Sequence, residues 1–220
     1  MLKYLFIKLI IVCSVIANAQ VHARDEPRHH NVFENEYIRI LDAFLGPKDT
    51  TQYHLHNTAS VFIILADCNV SSQLLGGKPQ PGANVSGSIS YDAMKTERIH
   101  RVWNEDTLWF HVMDIELTSK NQKNAVKVIQ HASLKLLFNE PEVNGYEAGL
   151  TPGAHLALPA SASGYLVVSK TAASIDLIIN KATQQRLMKA GHYAWIEPGN
   201  SFTIRSKETK PMSFVILQLK

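Results

Sequence analysis

Two stretches set 105 residues apart carry the same pattern. Laid over each other, FENEYIRILDAFLGP (33–47) and FNEPEVNGYEAGLTP (138–152) match Phe33 with Phe138, Ala43 with Ala148, Leu45 with Leu150 and Pro47 with Pro152. Ile38/Val143 and Asp42/Glu147 are conservative pairs. Further along, QYHLHNTASVFIIL falls against LALPASASGYLVVS, and a small shift sets WFHVMDIEL against MSFVILQLK at the two ends. The ordered matches predict two related modules in tandem.

What each module is made of follows from its period. Apolar and other residues alternate in YIRILDAFL (37–45), TLWFHVMDIEL (107–117), IDLIIN (175–180) and MSFVILQL (212–219), each bounded by Gly, Pro, Asn or Asp. Side chains on a strand point to opposite faces in turn, so this pattern predicts half-buried strands and a mostly-β protein. Helical spacing occurs only in ATQQRLMKA (182–190), which is short enough to be a turn instead. LLGGKPQPGANVSGS (74–88) reads as a loop and TSKNQKNAVK (118–127) as a linker with solvated charges.

The N-terminus reads as a leader. Residues 1–19 hold Lys3 and Lys8, an apolar run from Leu5 to Ile16 and the small tripeptide Ala17-Asn18-Ala19. This is the layout of a secretory signal peptide, shorter than the roughly 20 apolar residues that span a bilayer. The expected mature protein starts at Gln20, is secreted or periplasmic and has no membrane association. Loss of the two lysines lowers the formal charge from +3 to +1, which gives no electrostatic case for nucleic acid. Cys68 is then the single cysteine, so no internal disulfide can form and stability rests on packing. The expected division is 1–19 leader, 20–122 first module, 123–220 second module.

His54 and His56 flank Leu55 at the start of an apolar run. In an extended strand they share a face and aim two imidazoles at one point, the geometry of a bidentate metal clamp; an exposed polar pair has the same spacing. RIHRVWNED (98–106) adds His100, with Asn104 four residues on. With these motifs the chain resembles the cupin superfamily, well over 29–117 and over 135–219 only through the repeat. The lead-in HHNVFENEYIRILDAFLGPKDTTQYHLH is also similar to that of small cupins. The resemblance implies two double-stranded β-helix (jelly-roll) barrels in tandem. It places His54, His56 and His100 in the three imidazole positions and Asn104 at the following turn.

The motifs also depart from the family pattern. The carboxylate position falls at Ser60 or Val61, Lys48 replaces a turn glycine, and Lys95 and Glu97 stand near an absent Pro-x-Gly. Three neutral imidazoles still suit a divalent ion, with Zn, Fe, Ni or Cu preferred over manganese and with reduced affinity. In the second module Pro159 and Ser161 take the frame of the paired histidines, and Ser201 or Phe202 that of the third. No metal is expected there.

The remaining signals are weaker. His111 alternates with Trp109 and Met113, either lining the barrel or packed against a backbone carbonyl. His29 and His30 are expected in solvent on an N-terminal arm that could fold across the barrel, and Trp103 and Trp109 to wall a pocket or fill the core. Phosphate loops, nucleophile elbows and Cys-x-x-Cys motifs are absent. The sequence identifies no general base, so an enzyme of oxygenase, isomerase or lyase type stands beside a non-catalytic binder of a small molecule or metal, and beside a structural protein with a relic site.

Overall fold

A computed structural model describes residues 20–119 and 126–220, so the expected leader and the 122/123 boundary lie outside the described residues. Among those described there is no α-helix, and no helix long and apolar enough to cross a membrane.

The first barrel is built from β1 (Val21–His22), β2 (His29–Glu34), β3 (Ile38–Leu45), β4 (His54–His56), β5 (Ser60–Ile64), β6 (Cys68–Leu74), β7 (Gln80–Asn84), β8 (Ile89–Asp92), β9 (Arg98–Asn104) and β10 (Phe110–Leu117). They form two five-stranded sheets, β1-β4-β9-β6-β7 and β2-β3-β10-β5-β8. The second barrel holds β11 (Leu134–Asn139), β12 (Val143–Leu150), β13 (His155–Leu158), β14 (Tyr165–Ser169), β15 (Ala173–Ile179), β16 (Ala182–Met188), β17 (Tyr193–Ile196), β18 (Phe202–Ser206) and β19 (Met212–Leu219). Its sheets run β11-β12-β19-β14-β17 and β13-β18-β15-β16.

The duplication is therefore structural. Strands β3 and β12 start at the aligned Ile38 and Val143, and each pairs antiparallel along its length with the last strand of its own barrel. Ile38 opposes Leu117 where Val143 opposes Leu219, so Phe110 rather than Trp109 corresponds to Met212.

The sequence expectation of a helix or turn at 182–190 gives way to β16. Asn180 and Lys181 both have positive φ (48° and 69°) and form a two-residue hairpin turn whose twist matches the strands. The expected loop at 74–88 contains β7, which tolerates Pro81 because it is the edge strand of its sheet.

The barrels pack face to face. Alternation along β3, β5 and β10 sends Ile38, Ile40, Val61, Ile63, Met113 and Ile115 out of the first barrel, against Val143, Leu166, Val168, Val215 and Leu217 of the second. The opposite residues of these strands point into the barrel interior. This explains why both faces of β10 and β19 are largely buried. His111 belongs to the outward set: its Nε2 lies 2.7 Å from Asp42 Oδ1 and its ring stacks on Phe44 at 3.9 Å. It is a packed histidine between barrels, and its partner is a carboxylate. Gly191 of the second barrel, at φ 83°, comes so close that a Cβ would meet Leu65 Cδ1 at 2.8 Å and His111 Cε1 at 3.2 Å.

Candidate metal centre

Residues His54 and His100 are direct cross-strand partners on β4 and β9, and His56 lies two residues along β4 on the same face. Three imidazoles from distant parts of the chain thereby meet inside the first barrel. Ring centroids are 4.9 Å apart for His54–His56, 4.7 Å for His54–His100 and 5.0 Å for His56–His100. One nitrogen from each ring falls within 4.8 Å of the others.

Around them lies a cavity of about 110 Å³, walled by Ala43, Leu45, Phe62, Val102, Phe110 and Val112 among others. Its aromatic walls are thus Phe62 and Phe110, not the tryptophans. Trp103 donates to Glu105 Oε1 at 2.5 Å, and the exposed Trp109 lies over Gly46.

Burial sets the protonation of the site. The His54 ring is pushed down to about 3, first by loss of water and then by the charge of His29. His100 falls to about 2 by burial, reinforced by His54 and His56. Both are neutral at physiological pH, the form that donates a lone pair to a metal. The Nδ1 of His54 donates to the Gln52 carbonyl at 2.9 Å, which leaves Nε2 as its lone-pair nitrogen. His100 Nε2 and His56 Nδ1 are buried without a hydrogen-bond partner. Neutral His54 and His100, the latter with its buried Nε2 unpartnered, fit a borderline divalent ion.

Two further residues reach this centre, and the sequence reading missed both. His29, expected in solvent, is half-buried against the cavity, 4.8 Å from the His54 ring and 6.2 Å from that of His56. The arm is held by β1, which runs parallel to β4, and by buried Glu26, whose carboxylate accepts from the Arg28 N–H at 2.6 Å and the Gln52 N–H at 3.2 Å. Nδ1 of His29 lies 2.8 Å from the Ala23 carbonyl. Burial lowers its pKa. Asp114, on β10, is 2% exposed and lines the same cavity, with Oδ2 3.4 Å from His56 Nδ1. The phase of β10 sets Asp114 on the face that carries Phe110 and Val112 into the cavity.

Other expectations resolve structurally. Ser60 donates to the Thr58 carbonyl, and Val61 faces the second barrel, so neither adds a ligand. Asn104 is buried and ties a barrel end together, its amide donating to the carbonyls of Leu45, Gly46 and Leu108. In the second barrel β13 and β18 pair Leu158 with Phe202 where the first barrel pairs His54 with His100. Phe202 thus stands at the third histidine's position, and the first falls at Leu158, one residue before Pro159.

No protein-family model matches the sequence, and no curated protein matches it either. Solved structures do resemble the fold. AerE from Microcystis aeruginosa is similar over 89% of this chain and 98% of its own, at 6% identity and a TM-score of 0.60. Salicylate 1,2-dioxygenase from Pseudaminobacter salicylatoxidans matches over 83% of this chain and 71% of its own, at 10% identity and a TM-score of 0.60. A cupin 2 conserved barrel domain protein from Leptotrichia buccalis matches over 86% of each chain, at 12% identity and a TM-score of 0.54. This chain has the cupin fold. Its histidine triad sits in the first of the two barrels, and the second is closed with apolar side chains.

Proposed function

We infer that the first barrel is a divalent-metal-binding cupin module, with His54, His56 and His100 as ligands and Zn, Fe, Ni or Cu as the favoured ions. The observation that carries this reading is the convergence of two buried imidazoles and a half-buried one, with nitrogen atoms within 4.8 Å of one another. When bound, such an ion supplies Lewis acidity to whatever occupies its open positions. The chain's own residues set what that can be. The Gln52 carbonyl fixes the His54 tautomer, His29 extends the imidazole wall towards the arm, and Phe62, Phe110 and Val112 exclude bulk water.

Size favours a binding role over turnover of a large substrate. A liquid water takes up about 30 Å³, so a cavity of about 110 Å³ admits an ion and a few small ligands. Sites for drug-sized molecules run to roughly 300–1,000 Å³. A catalytic role on an aromatic or a sugar would need the barrel to open. We further read residues 1–19 as a leader that exports the protein to the periplasm or beyond, which N-terminal sequencing of the mature chain tests.

The direct test replaces the ligands with the residues the second barrel uses. The expected result is about one ion per chain by elemental analysis of the native protein, and none in His54→Leu/His100→Phe, with the β circular-dichroism spectrum retained. Equal, negligible metal in both proteins after incubation with Zn, Ni and Cu salts would refute the reading.

A further inference from the structure

We propose that Asp114 is a positioning residue of this centre: its carboxylate accepts the Nδ1–H of His56, leaves Nε2 of that ring for the ion, and supplies the negative charge that the first motif lacks. The proposal rests on the metal reading above.

Four observations converge on it. Asp114 is 2% exposed, and neither of its carboxylate oxygens has a hydrogen-bond partner. A buried, unpaired carboxylate is costly by several kcal/mol unless a cation or donors compensate it. The facing group is His56 Nδ1, 3.4 Å from Oδ2, itself buried and without another partner. Two orphaned groups that face each other at this distance form a hydrogen bond after a small ring rotation, which a bound ion on Nε2 would impose.

The second observation is the phase of β10. Asp114 opposes Leu41, on the face that also carries Phe110 and Val112 into the cavity, so its side chain cannot reach solvent. Third, its field is felt nearby: the Glu116 carboxyl, two residues on, is pushed up first by burial and then by the charge of Asp114. Arg39 serves Glu116 and Glu34, and Arg98 serves Asp92, so neither cation of this region is committed to Asp114. Fourth, the corresponding residue of the second barrel, which lacks the histidines, is Ile216, opposite Tyr146. The acid occurs where the imidazoles occur and is replaced by a hydrocarbon where they are not.

A carboxylate behind a metal-bound histidine raises the basicity of that ligand, and its removal typically costs about 10–100-fold in metal affinity. The centre thus has an anionic member, from a different strand and in contact with a ligand.

The test titrates Zn(II), against a competing chelator, and Co(II), for its visible ligand-field spectrum, into the native protein, Asp114→Asn and Asp114→Ile. Asparagine keeps an acceptor for His56 Nδ1–H but loses the charge. Its expected result is a Zn affinity lower by about 10–100-fold with the Co(II) band positions retained. Isoleucine removes both functions; its expected result is a larger loss together with shifted Co(II) bands, while the metal-free protein melts at a higher temperature than native. A merely structural role would not move the Co(II) bands. Zn affinity of Asp114→Ile within about threefold of native, with an unchanged Co(II) spectrum, would overturn the proposal. That outcome with a metal-free His54→Leu/His100→Phe protein leaves the metal reading standing. A native protein that binds neither ion brings down both.

Discussion

The two barrels share strand order and register but use their interiors differently. In the second, Leu158, Phe202, Phe214 and Ile216 belong to one continuous apolar core with Tyr146, Leu150, Tyr165 and Ile204. In the first, the same positions hold His54, His100, Val112 and Asp114 around a cavity. A fully buried Leu, Ile or Phe contributes roughly 1.5–3 kcal/mol. The first barrel thus forgoes several kcal/mol of packing that its sibling shows the fold can accept. An ion that binds only the folded state returns such energy by mass action. A barrel kept polar and hollow beside a filled copy is the arrangement expected of a site under functional demand. The second barrel contributes the apolar face on which the first one rests.

The same contrast recurs one layer away from the cavity. Half-buried Arg39 and buried Glu116, opposed on β3 and β10, form an ion pair. Their counterparts on β12 and β19, Asn144 and Gln218, are opposed in the same register and joined by a neutral amide hydrogen bond of 3.0 Å. Equivalent geometry is thus satisfied once with charges and once without.

The largest effect should come from forcing the first barrel's chemistry onto the second. Leu158→His/Phe202→His places two imidazoles in the core with no third histidine beside them, since Pro159, Ala160 and Ser161 follow Leu158. Lost apolar burial and unsatisfied polar groups should cost more than about 5 kcal/mol in urea unfolding, and no second ion should bind. A variant that loses under about 2 kcal/mol would show that the second interior is not the packed core described here.

A smaller effect separates the two forms of the cross-strand pair. Arg39→Ala leaves Glu116 buried without its partner and should destabilise by about 3 kcal/mol. The double change Arg39→Asn/Glu116→Gln installs the second barrel's amide pair and should cost less than about 1 kcal/mol. If single and double changes proved equal in thermal unfolding, the correspondence between the pairs would have no energetic content.

Much of this was legible beforehand. The repeat fixed the equivalence of β3 and β12 to the residue, because both lie in barrel walls where a one-residue slip would turn every apolar side chain outward. The triad was legible because residues two apart on a strand share a face, and the resemblance to cupins set His100 beside that pair. What stayed hidden depends on tertiary placement. His29 looked like part of a polar arm; its burial depends on β1 pairing with β4 and on Glu26 binding the Gln52 N–H, contacts without local periodicity. Asp114 was hidden because β10 is buried on both faces, so alternation alone did not say which face looks into the barrel and which onto the other module. The same ambiguity put His111 forward as a wall of the site, although it lies between the modules. Residues 182–190 read as helix or turn because an exposed edge strand carries little apolar alternation.

The smallest expected effect lies at the rim of the charged pair and has a pH signature that the second barrel lacks. Glu34 donates no proton to this network; its carboxylate accepts from Arg39 at 2.7 Å and from Asn31 at 2.9 Å. Those contacts, Arg39's first, hold it at about 2 rather than its ordinary 4.5. A depressed acid stabilises the fold above its unfolded value and loses that contribution as pH falls from about 4.5 through about 2. Because the Glu34 side chain is 46% exposed, solvent screening holds the effect to about 0.5 kcal/mol. Glu34→Gln should therefore lower stability only slightly at pH 7 and be indistinguishable from native near pH 2. Asn144 has no acidic neighbour of this kind among its hydrogen-bond partners, so Asn144→Ala should shift stability by the same amount at both pH values. A pH-dependent difference at Asn144 equal to that at Glu34 would break the distinction between a charged and a neutral solution to the same cross-strand geometry.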